Sequence, residues 1–501
     1  MWLLDELEKR KGSDEIAVCH RENQISFMEL WRKSEHLAVW IEENLKTKAP
    51  IVIYGNKDIE ILITMVAALK TGRAYVPLDV TFPEKRVKEI ICETEAEVIF
   101  NYAESNIESN IFSVNKVSLE TIFEEKQSVS VDKKLYVKDD DNCYILFTSG
   151  STGKPKGVQI TKKNILNFVN WFGHMCEVSE DKQIVLNQVS YSFDVSVIAI
   201  YIYLSMGKTL FSIDKQMMDN LKELFEYLGK SNIAAWVSTP TFLEICSFDD
   251  KFDCNMLNKL ELVILAGEIL SKKLVKTMRE KFPGIRIING YGPTEGTVLL
   301  SACEITQEML NDTKSLPIGK IINDGEYRIL NGEESAKAGE SGELVVISDS
   351  ISKGYFKNEE QTNKVFFDDK KGRRGYYTGD LVFEENGLLY YVARKDTQIK
   401  LNGFRIELTD ISNNLNKIDN VSSSVVLPVY KEERVSYLAA IVMMKEQRNI
   451  SKMKQGIELK KELRKMIPSY MVPRKVIIVE KFPMNTNGKI DKKKLMEEYL
   501  S

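Results

Sequence analysis

Residues 146 to 158 read Leu-Phe-Thr-Ser-Gly-Ser-Thr-Gly-Lys-Pro-Lys-Gly-Val, a hydroxyl- and glycine-rich loop behind an apolar run. Glycines let backbone N–H groups approach an anion. The hydroxyls of Thr148, Ser149, Ser151 and Thr152 and the ammonium of Lys154 add further donors. The chemistry offered is phosphate binding. It is not a Walker A loop, because Lys154 is followed by Pro155 and the G-x-x-x-x-G-K-[ST] spacing is absent. Taken alone, a Ser/Gly/Lys cluster is also what many surface turns look like. Other reactive residue types form no constellation. His20, His36 and His174 are isolated, without ligand spacing or a nearby nucleophile motif, so neither a catalytic triad nor a zinc site is expected. The seven cysteines include no C-x-x-C pair, which fits reduced thiols rather than a disulfide framework.

Periodicity shows what must carry the loop. Up to about residue 120, short β-branched runs alternate with helical ones: Ile51-Val-Ile-Tyr, then Ile59 to Leu69, then Val98-Ile-Phe. The same grammar returns in Gln183-Ile-Val-Leu, Leu221 to Leu228, Ala234 to Thr239 and Leu260 to Gly267. Two layers of parallel α/β units are predicted. After Gly292 the texture changes to short alternating segments such as Glu326 to Gly332 and Gly342 to Ile347, a smaller β-rich subdomain. Beyond Arg394 the chain becomes Lys-rich and mixes helix with strand. The predicted organisation is a core over 1–394 and a small domain over 395–501.

Composition agrees. At 501 residues, and with about 150 residues per domain, roughly three domains or subdomains are expected. With 43% hydrophobic and 28% charged residues the chain should bury large cores. Lys and Arg total 69 against 73 Asp and Glu, so a net charge of −4 does not suggest nucleic-acid binding. The N-terminus lacks a basic segment followed by an apolar run, and the longest apolar stretch, Val197 to Met206, falls short of the ~18 residues of a membrane span. A monomeric, cytoplasmic protein is expected.

The ten residues Thr148 to Gly157 resemble the signature of the adenylate-forming enzymes, the superfamily of acyl-CoA synthetases, luciferases and peptide-synthetase adenylation domains. Further motifs of that family follow in order. They are Lys70 to Asp79, Ser192-Phe-Asp194-Val-Ser, Asn289-Gly-Tyr-Gly-Pro-Thr-Glu295, Tyr377-Thr-Gly-Asp380, Arg394 to Glu407, and Asn487-Gly-Lys489-Ile-Asp. The resemblance covers essentially the whole chain. In total length, and in Lys314-Ser-Leu-Pro-Ile-Gly and Pro468-Ser-Tyr-Met-Val-Pro-Arg-Lys, it is most similar to the free-standing D-alanine:D-alanyl carrier protein ligases. The fold implied is α/β: a large N-terminal domain of two α/β sheet subdomains plus a β-rich subdomain, and a small mobile α+β C-terminal domain.

The resemblance also implies roles. ATP activates a carboxylate through in-line displacement at the α-phosphorus, so two anions must be brought together. Thr148, Ser149, Gly150, Ser151, Thr152, Gly153 and Lys154 would hold the β- and γ-phosphates. Glu295 with Thr294 would position Mg2+. Tyr291, within Asn289-Gly290-Tyr291-Gly292-Pro293, would offer an aromatic face to adenine, with Asn289 and Gly290 at the base edge. Asp380 would accept hydrogen bonds from both ribose hydroxyls, with Tyr391 and Arg394 completing that side; Tyr391 could equally be core packing. Lys489 would reach the substrate carboxylate and ribose bridging oxygen, lowering anion repulsion. Asp396 would be the hinge between two half-reactions, and Gly403 would leave room for a pantetheine arm. Asn402-Gly403 is by itself also a strong hairpin signal. Ala393 departs from the family, which usually has Gly before this Arg. The chain ends twelve residues after Lys489 without a carrier domain, so the thiol acceptor would be a separate phosphopantetheinylated carrier protein.

For the acid activated, Asp194 matches the position at which amino-acid-activating members pair the α-ammonium group, which favours amino acids over fatty or aryl acids. Helix capping would be its structural alternative. The other pocket positions by motif are Val195, Ile198, Val237, Ile264, Ala266, Gly290, Val298 and Leu299, all apolar. In D-alanine ligases the sites of Ala266, Gly290 and Leu299 hold a Cys, a Thr and a small residue. Ala266 and Gly290 should therefore enlarge the pocket and Leu299 narrow it. D-alanine is the family default. A larger hydrophobic or aromatic amino acid is the competitor, and an acyl- or aryl-CoA ligase a further alternative.

Overall fold

The computed structural model describes residues 1–103, 107, 111–123, 130–150, 154–181, 183–396, 398–431, 434–446, 450–483 and 490–500. The chain divides into two compact units. One comprises Met1–Val80, Ile91–Phe147 and Gly157–Lys395, the other Thr81–Ile90, Thr148–Lys156 and Asp396–Ser501.

In the first unit the described residues form three sheets. The seven-stranded sheet places Tyr75–Asp79, Ile51–Gly55 and Val98–Asn101 side by side and parallel at its centre. Every residue of Ile51–Gly55 is buried, which explains a continuous β-branched run where a half-exposed strand would alternate. The helix Ile59–Lys70 follows; it is buried on all sides except at Glu60, as expected of a segment apolar all round. In the nine-stranded sheet, Ile184–Asn187, Ile233–Ser238, Leu262–Ala266 and Arg286–Tyr291 run parallel, so their C-terminal ends share one edge. That register sets Ala266 opposite Gly290 and Val237 opposite Ile264. Sites of open α/β sheets lie at such an edge. The long apolar stretch becomes a fully buried π-helix, Ile198–Tyr203, a rare winding met mostly at functional sites.

The third sheet, six-stranded, contains the hairpin of Arg374–Glu385 with Leu388–Arg394. Its two-residue turn, Asn386-Gly387, has both residues at positive φ (51° and 73°), the conformation that matches strand twist. A register shift between Leu381 and Val382 then sets Asp380 directly opposite Arg394.

The second unit is α+β. Val421–Lys431, Arg434–Met444 and Lys475–Val479 form a three-stranded sheet. Its alternate residues feed two cores. Val426, Ala440 and Val442 pack with Leu459 and Leu463 of the helix Lys452–Leu463, whereas Val425, Leu427 and Ile441 pack with Leu495. The hairpin Gln398–Leu401/Phe404–Glu407 turns at Asn402-Gly403 with φ of 51° and 83°, the hairpin that this dipeptide signals. Among the described residues no helix is long and apolar enough to cross a membrane.

Candidate active site

Asp380 is buried, and both its oxygens are engaged. Tyr291 donates its hydroxyl to Oδ2 at 2.5 Å, and Arg394 Nη1 donates to Oδ1 at 3.0 Å and to the Thr378 carbonyl at 3.0 Å. Burial, with the adjacent Asp380, pushes the Tyr291 phenol well above its usual range, so it remains a donor. A carboxylate has about four lone-pair sites, so Asp380 keeps acceptor capacity beyond these two bonds. The Tyr291 hydroxyl thus orients the acid. Asn289 donates from Nδ2 to the Pro317 carbonyl at 2.8 Å, committing one amide hydrogen to the neighbouring loop. Tyr391, three residues before Arg394, is half-buried against the core.

Glu295 lies in a single 3-10 turn, Thr294–Gly296, with Gly292 and Pro293 before it. Gly292 is sterically required, because a Cβ there would stand 2.4 Å from the Val298 carbonyl oxygen. The Glu295 carboxylate is buried and accepts a hydrogen bond from the Tyr355 hydroxyl at 2.7 Å, while its carbonyl accepts from the Ser352 N–H at 2.8 Å. Thr297 and Val298 follow with φ of 56° and 71°. For β-branched residues this is real strain, of order 1–3 kcal/mol each, held by Thr297 Oγ1 donating to the Ser350 carbonyl at 2.6 Å.

The residues expected to line the substrate pocket, Asp194, Val195, Ile198, Val237, Ile264, Ala266, Val298 and Leu299, are all buried, Asp194 at 4% exposure. The expectation for Gly290 needs correcting. A Cβ at Gly290 would meet Leu299 Cδ1 at 2.8 Å, so Leu299 already occupies the room that the glycine leaves. The two positions are one packing unit, and Gly290 brings no net enlargement.

In the second unit, the Ser149 hydroxyl donates to the Arg405 carbonyl at 3.0 Å and accepts from the Glu407 N–H at 3.0 Å, which ties the start of the glycine-rich loop to the hairpin strand. Thr148 ends the preceding strand. A Cβ at Gly150 would stand 2.0 Å from the Lys154 carbonyl oxygen, so the loop closes tightly enough to require glycine. Lys154 is exposed. Ser151, Thr152, Gly153 and Lys489 lie outside the described residues. Asp396 Oδ1 accepts from the Gln398 N–H at 3.0 Å, and Gly403 is buried in its turn.

Two contributors escape sequence reasoning. Tyr355 reaches Glu295 from 60 residues away. Lys57, 1% exposed, donates Nζ to Asn187 Oδ1 at 2.9 Å and to the Val189 carbonyl at 2.5 Å, and sits 3.7 Å above the Tyr191 ring. Burial drives its ammonium well below the usual range, with Asp79 pulling the other way. Ser190 donates to Asp79 Oδ2 at 2.6 Å. Together these bonds pin residues 187–191, the approach to Asp194, to the ends of the neighbouring sheet. A lone lysine just after the strand Ile51–Gly55 gives no local signal for this.

His20 is buried against Asp214 at 3.0 Å, His36 is buried in a helix and His174 is exposed beside Glu177. Among the described residues no group of three His, Cys, Asp or Glu side chains is placed to hold a metal.

Residues 5–356 match the AMP-binding enzyme family, and residues 410–489 match the AMP-binding enzyme C-terminal domain. The D-alanine–D-alanyl carrier protein ligase of Bacillus licheniformis is 37% identical over 502 residues, and that of Bacillus cytotoxicus 38% over 505, each covering 99% of both chains. Among solved structures, the Vibrio cholerae adenylation domain AlmE, in complex with glycyl-adenosine-5'-phosphate, superposes with a TM-score of 0.83 at 21% identity, covering 99% of this chain and 97% of that one. A double mutant of o-succinylbenzoate CoA synthetase from Bacillus subtilis gives 0.84 at 18% identity, covering 98% of both. These likenesses extend the fold over the whole chain. With its two matched domains and full-length relatives, the chain belongs to the AMP-binding enzymes, the adenylate-forming ligases.

Proposed function

We propose that the enzyme activates D-alanine with ATP, forming D-alanyl-AMP and releasing pyrophosphate, and then passes the D-alanyl group to the phosphopantetheine thiol of a separate carrier protein. In the first step a substrate carboxylate oxygen attacks the α-phosphorus and the bond to pyrophosphate breaks. In the second a thiolate attacks the acyl carbonyl and AMP leaves. The observation that carries the substrate reading is Leu299 filling the space over Gly290, in a pocket otherwise lined by small or branched apolar groups. This packing favours a small side chain. The names and full-length similarity of the relatives support the same reading.

In this mechanism Asp194 pairs the substrate ammonium, and the Tyr291 ring faces adenine. Asp380, aligned by Tyr291 and Arg394, accepts the ribose hydroxyls. The glycine-rich loop donates to the phosphates. Glu295, braced by Tyr355, suits Mg2+, which takes one or two protein carboxylates and completes its shell with phosphates and water. When bound, Mg2+ would neutralise phosphate charge. Lys489 would screen the approaching carboxylate from the α-phosphate. Asp396 is the proposed hinge, and the Asn402-Gly403 turn the proposed passage for the pantetheine arm.

ATP–pyrophosphate exchange across D- and L-amino acids, with simple aryl and fatty acids beside them, tests this reading. The strongest exchange is expected with D-alanine. A dominant bulky apolar amino acid would overturn the substrate, and exchange only with fatty or aryl acids would overturn amino-acid activation.

The Gly290–Leu299 pair adds a second expectation. Gly290→Ala should cripple exchange with D-alanine, and adding Leu299→Ala should restore it, because the new methyl needs the space the leucine holds. Leu299→Ala alone should shift preference towards larger side chains by about 10–200-fold. Additive losses in the double variant would contradict the packing argument.

A further inference from the structure

The chain passes from the turn Thr294–Gly296, which carries Glu295, to Val298 and Leu299 through one wholly buried residue, Thr297. Thr297 and Val298 both take the left-handed conformation, and the Leu299 N–H donates to the Thr297 carbonyl at 2.9 Å, so the backbone doubles back within three residues. The Leu300 N–H then donates to the Tyr291 carbonyl at 2.8 Å. This reversal is what sets Leu299 over Gly290. Two successive β-branched residues resist it, because at positive φ their side chains crowd the backbone. Such a conformation persists only where the surroundings hold it.

The Thr297 hydroxyl supplies a tether by donating to the Ser350 carbonyl at 2.6 Å. Its acceptor is fixed in place from both sides. Asn164 Nδ2 donates to the Asp349 carbonyl at 2.8 Å and to the Ile351 carbonyl at 3.0 Å, and Asn167 Nδ2 donates to Ser350 Oγ at 2.9 Å. Both asparagines belong to the helix Lys162–Phe172, whose start is itself fixed by a capping box between Thr161 and Asn164. Ser348, Ser350 and Ser352 are fully buried, so residues 348–355 form an internal polar strap. The strap holds Glu295 at other points, through the Ser352 N–H on its carbonyl and the Tyr355 hydroxyl on its carboxylate. The acid and the Leu299 wall are thus hung from one strap by separate bonds.

We propose that Thr297 is a positioning residue for substrate selection: its hydroxyl, anchored on the strap, holds the strained reversal that keeps Leu299 over Gly290 and so limits the pocket to a small side chain. The proposal deepens the preceding reading that the substrate is D-alanine and rests on it. Without the tether, Thr297 and Val298 relax out of the left-handed region, and Leu299 withdraws from the space it fills. Glu295 keeps its own two bonds to the strap, so the effect falls on the amino acid and not on the nucleotide.

The test measures pyrophosphate exchange with D-alanine and with D-leucine in the full-length wild type, Thr297→Val and Thr297→Ser. Valine keeps the branched shape but removes the donor to the buried Ser350 carbonyl, whereas serine keeps the hydroxyl. In Thr297→Val the D-alanine to D-leucine ratio of kcat/KM should fall by about ten-fold or more, while KM for ATP stays within about two-fold. Thr297→Ser should retain the wild-type ratio. Gly290→Ala gives a second reading, since it should cost about ten-fold less in the Thr297→Val background than in the wild type. A threonine that serves stability alone would lower Tm and slow both substrates together, leaving the ratio and the cost of Gly290→Ala unmoved, and that result overturns the proposal. If Thr297→Val does not fold, Asn164→Ala, which releases the strap on either side of Ser350, should lower the ratio in the same direction; an unchanged ratio there overturns it equally. A wild type that activates a larger amino acid best overturns the D-alanine reading instead, and the Gly290→Ala comparison, made with that amino acid, still decides whether Thr297 holds Leu299 in place.

Discussion

Asp380→Ala is expected to lower kcat/KM for ATP by roughly 10²–10³-fold while leaving KM for the amino acid nearly unchanged. The size follows from what the side chain holds. Its two oxygens receive the Tyr291 hydroxyl and the Arg394 guanidinium, with the acid and the phenol buried and the guanidinium partly so. Truncating one partner of a buried, hydrogen-bonded charge pair costs about 2–5 kcal/mol, mostly because the other charge is left unpaired. Here the same change removes the proposed ribose acceptor, so the loss should fall on nucleotide binding. Asp380→Asn, which keeps an acceptor for Tyr291 but loses the charge, should lie between wild type and alanine. Calorimetric titration with ATP and thermal denaturation separate the causes. A folded alanine variant with unaltered ATP affinity would remove Asp380 from the nucleotide site.

Which parts of this site were legible beforehand follows from where the information resides. The glycine-rich loop is local: its hydroxyls, glycines and lysine are consecutive, and Gly150 has the tight geometry its type suggested. The alternation of β-branched runs and helical stretches is likewise short-range, which is why Ile51–Gly55, Ile59–Lys70 and Leu262–Ala266 are found where periodicity placed them. The Asn402-Gly403 hairpin needs only two residues and their positive φ. What escaped depends on register and on distant partners. Asp380 meets Arg394 through a register shift between Leu381 and Val382, and nothing in the sequence marks that shift. Tyr355 supports Glu295 only because two distant segments are brought together. The role of Gly290 was misjudged for a related reason. A glycine read position by position looks like added space, but packing density in cores is high enough that a neighbour, here Leu299, takes such space up. Lys57 is the extreme case, a charged residue wholly buried between sheets, contrary to what its type suggests.

Asp194→Ala should give the second large effect, and it bears on specificity more than on rate. Asp194 is 4% exposed, so its side chain meets little water. An incoming ammonium would add a charged partner to this carboxylate, an interaction that an acid lacking the amino group cannot make. Sites built to pair a polar group reject the analogue without it by up to about 10⁴-fold, far beyond the 10–200-fold that one methylene provides. The alanine variant should therefore lose about 10²–10³-fold in kcat/KM for D-alanine, consistent with 2–5 kcal/mol for a buried pair, while activation of propionate is unchanged or improved. The informative quantity is the ratio of the two in pyrophosphate exchange, because a general loss of fold would lower both together. Lys57→Met offers a graded companion: it frees the 187–191 segment without touching the carboxylate, so it should raise KM for D-alanine with a smaller change in the ratio. A D-alanine to propionate ratio that survives Asp194→Ala intact would show that the ammonium is held elsewhere, and the acid-binding half of the site would have to be reassigned.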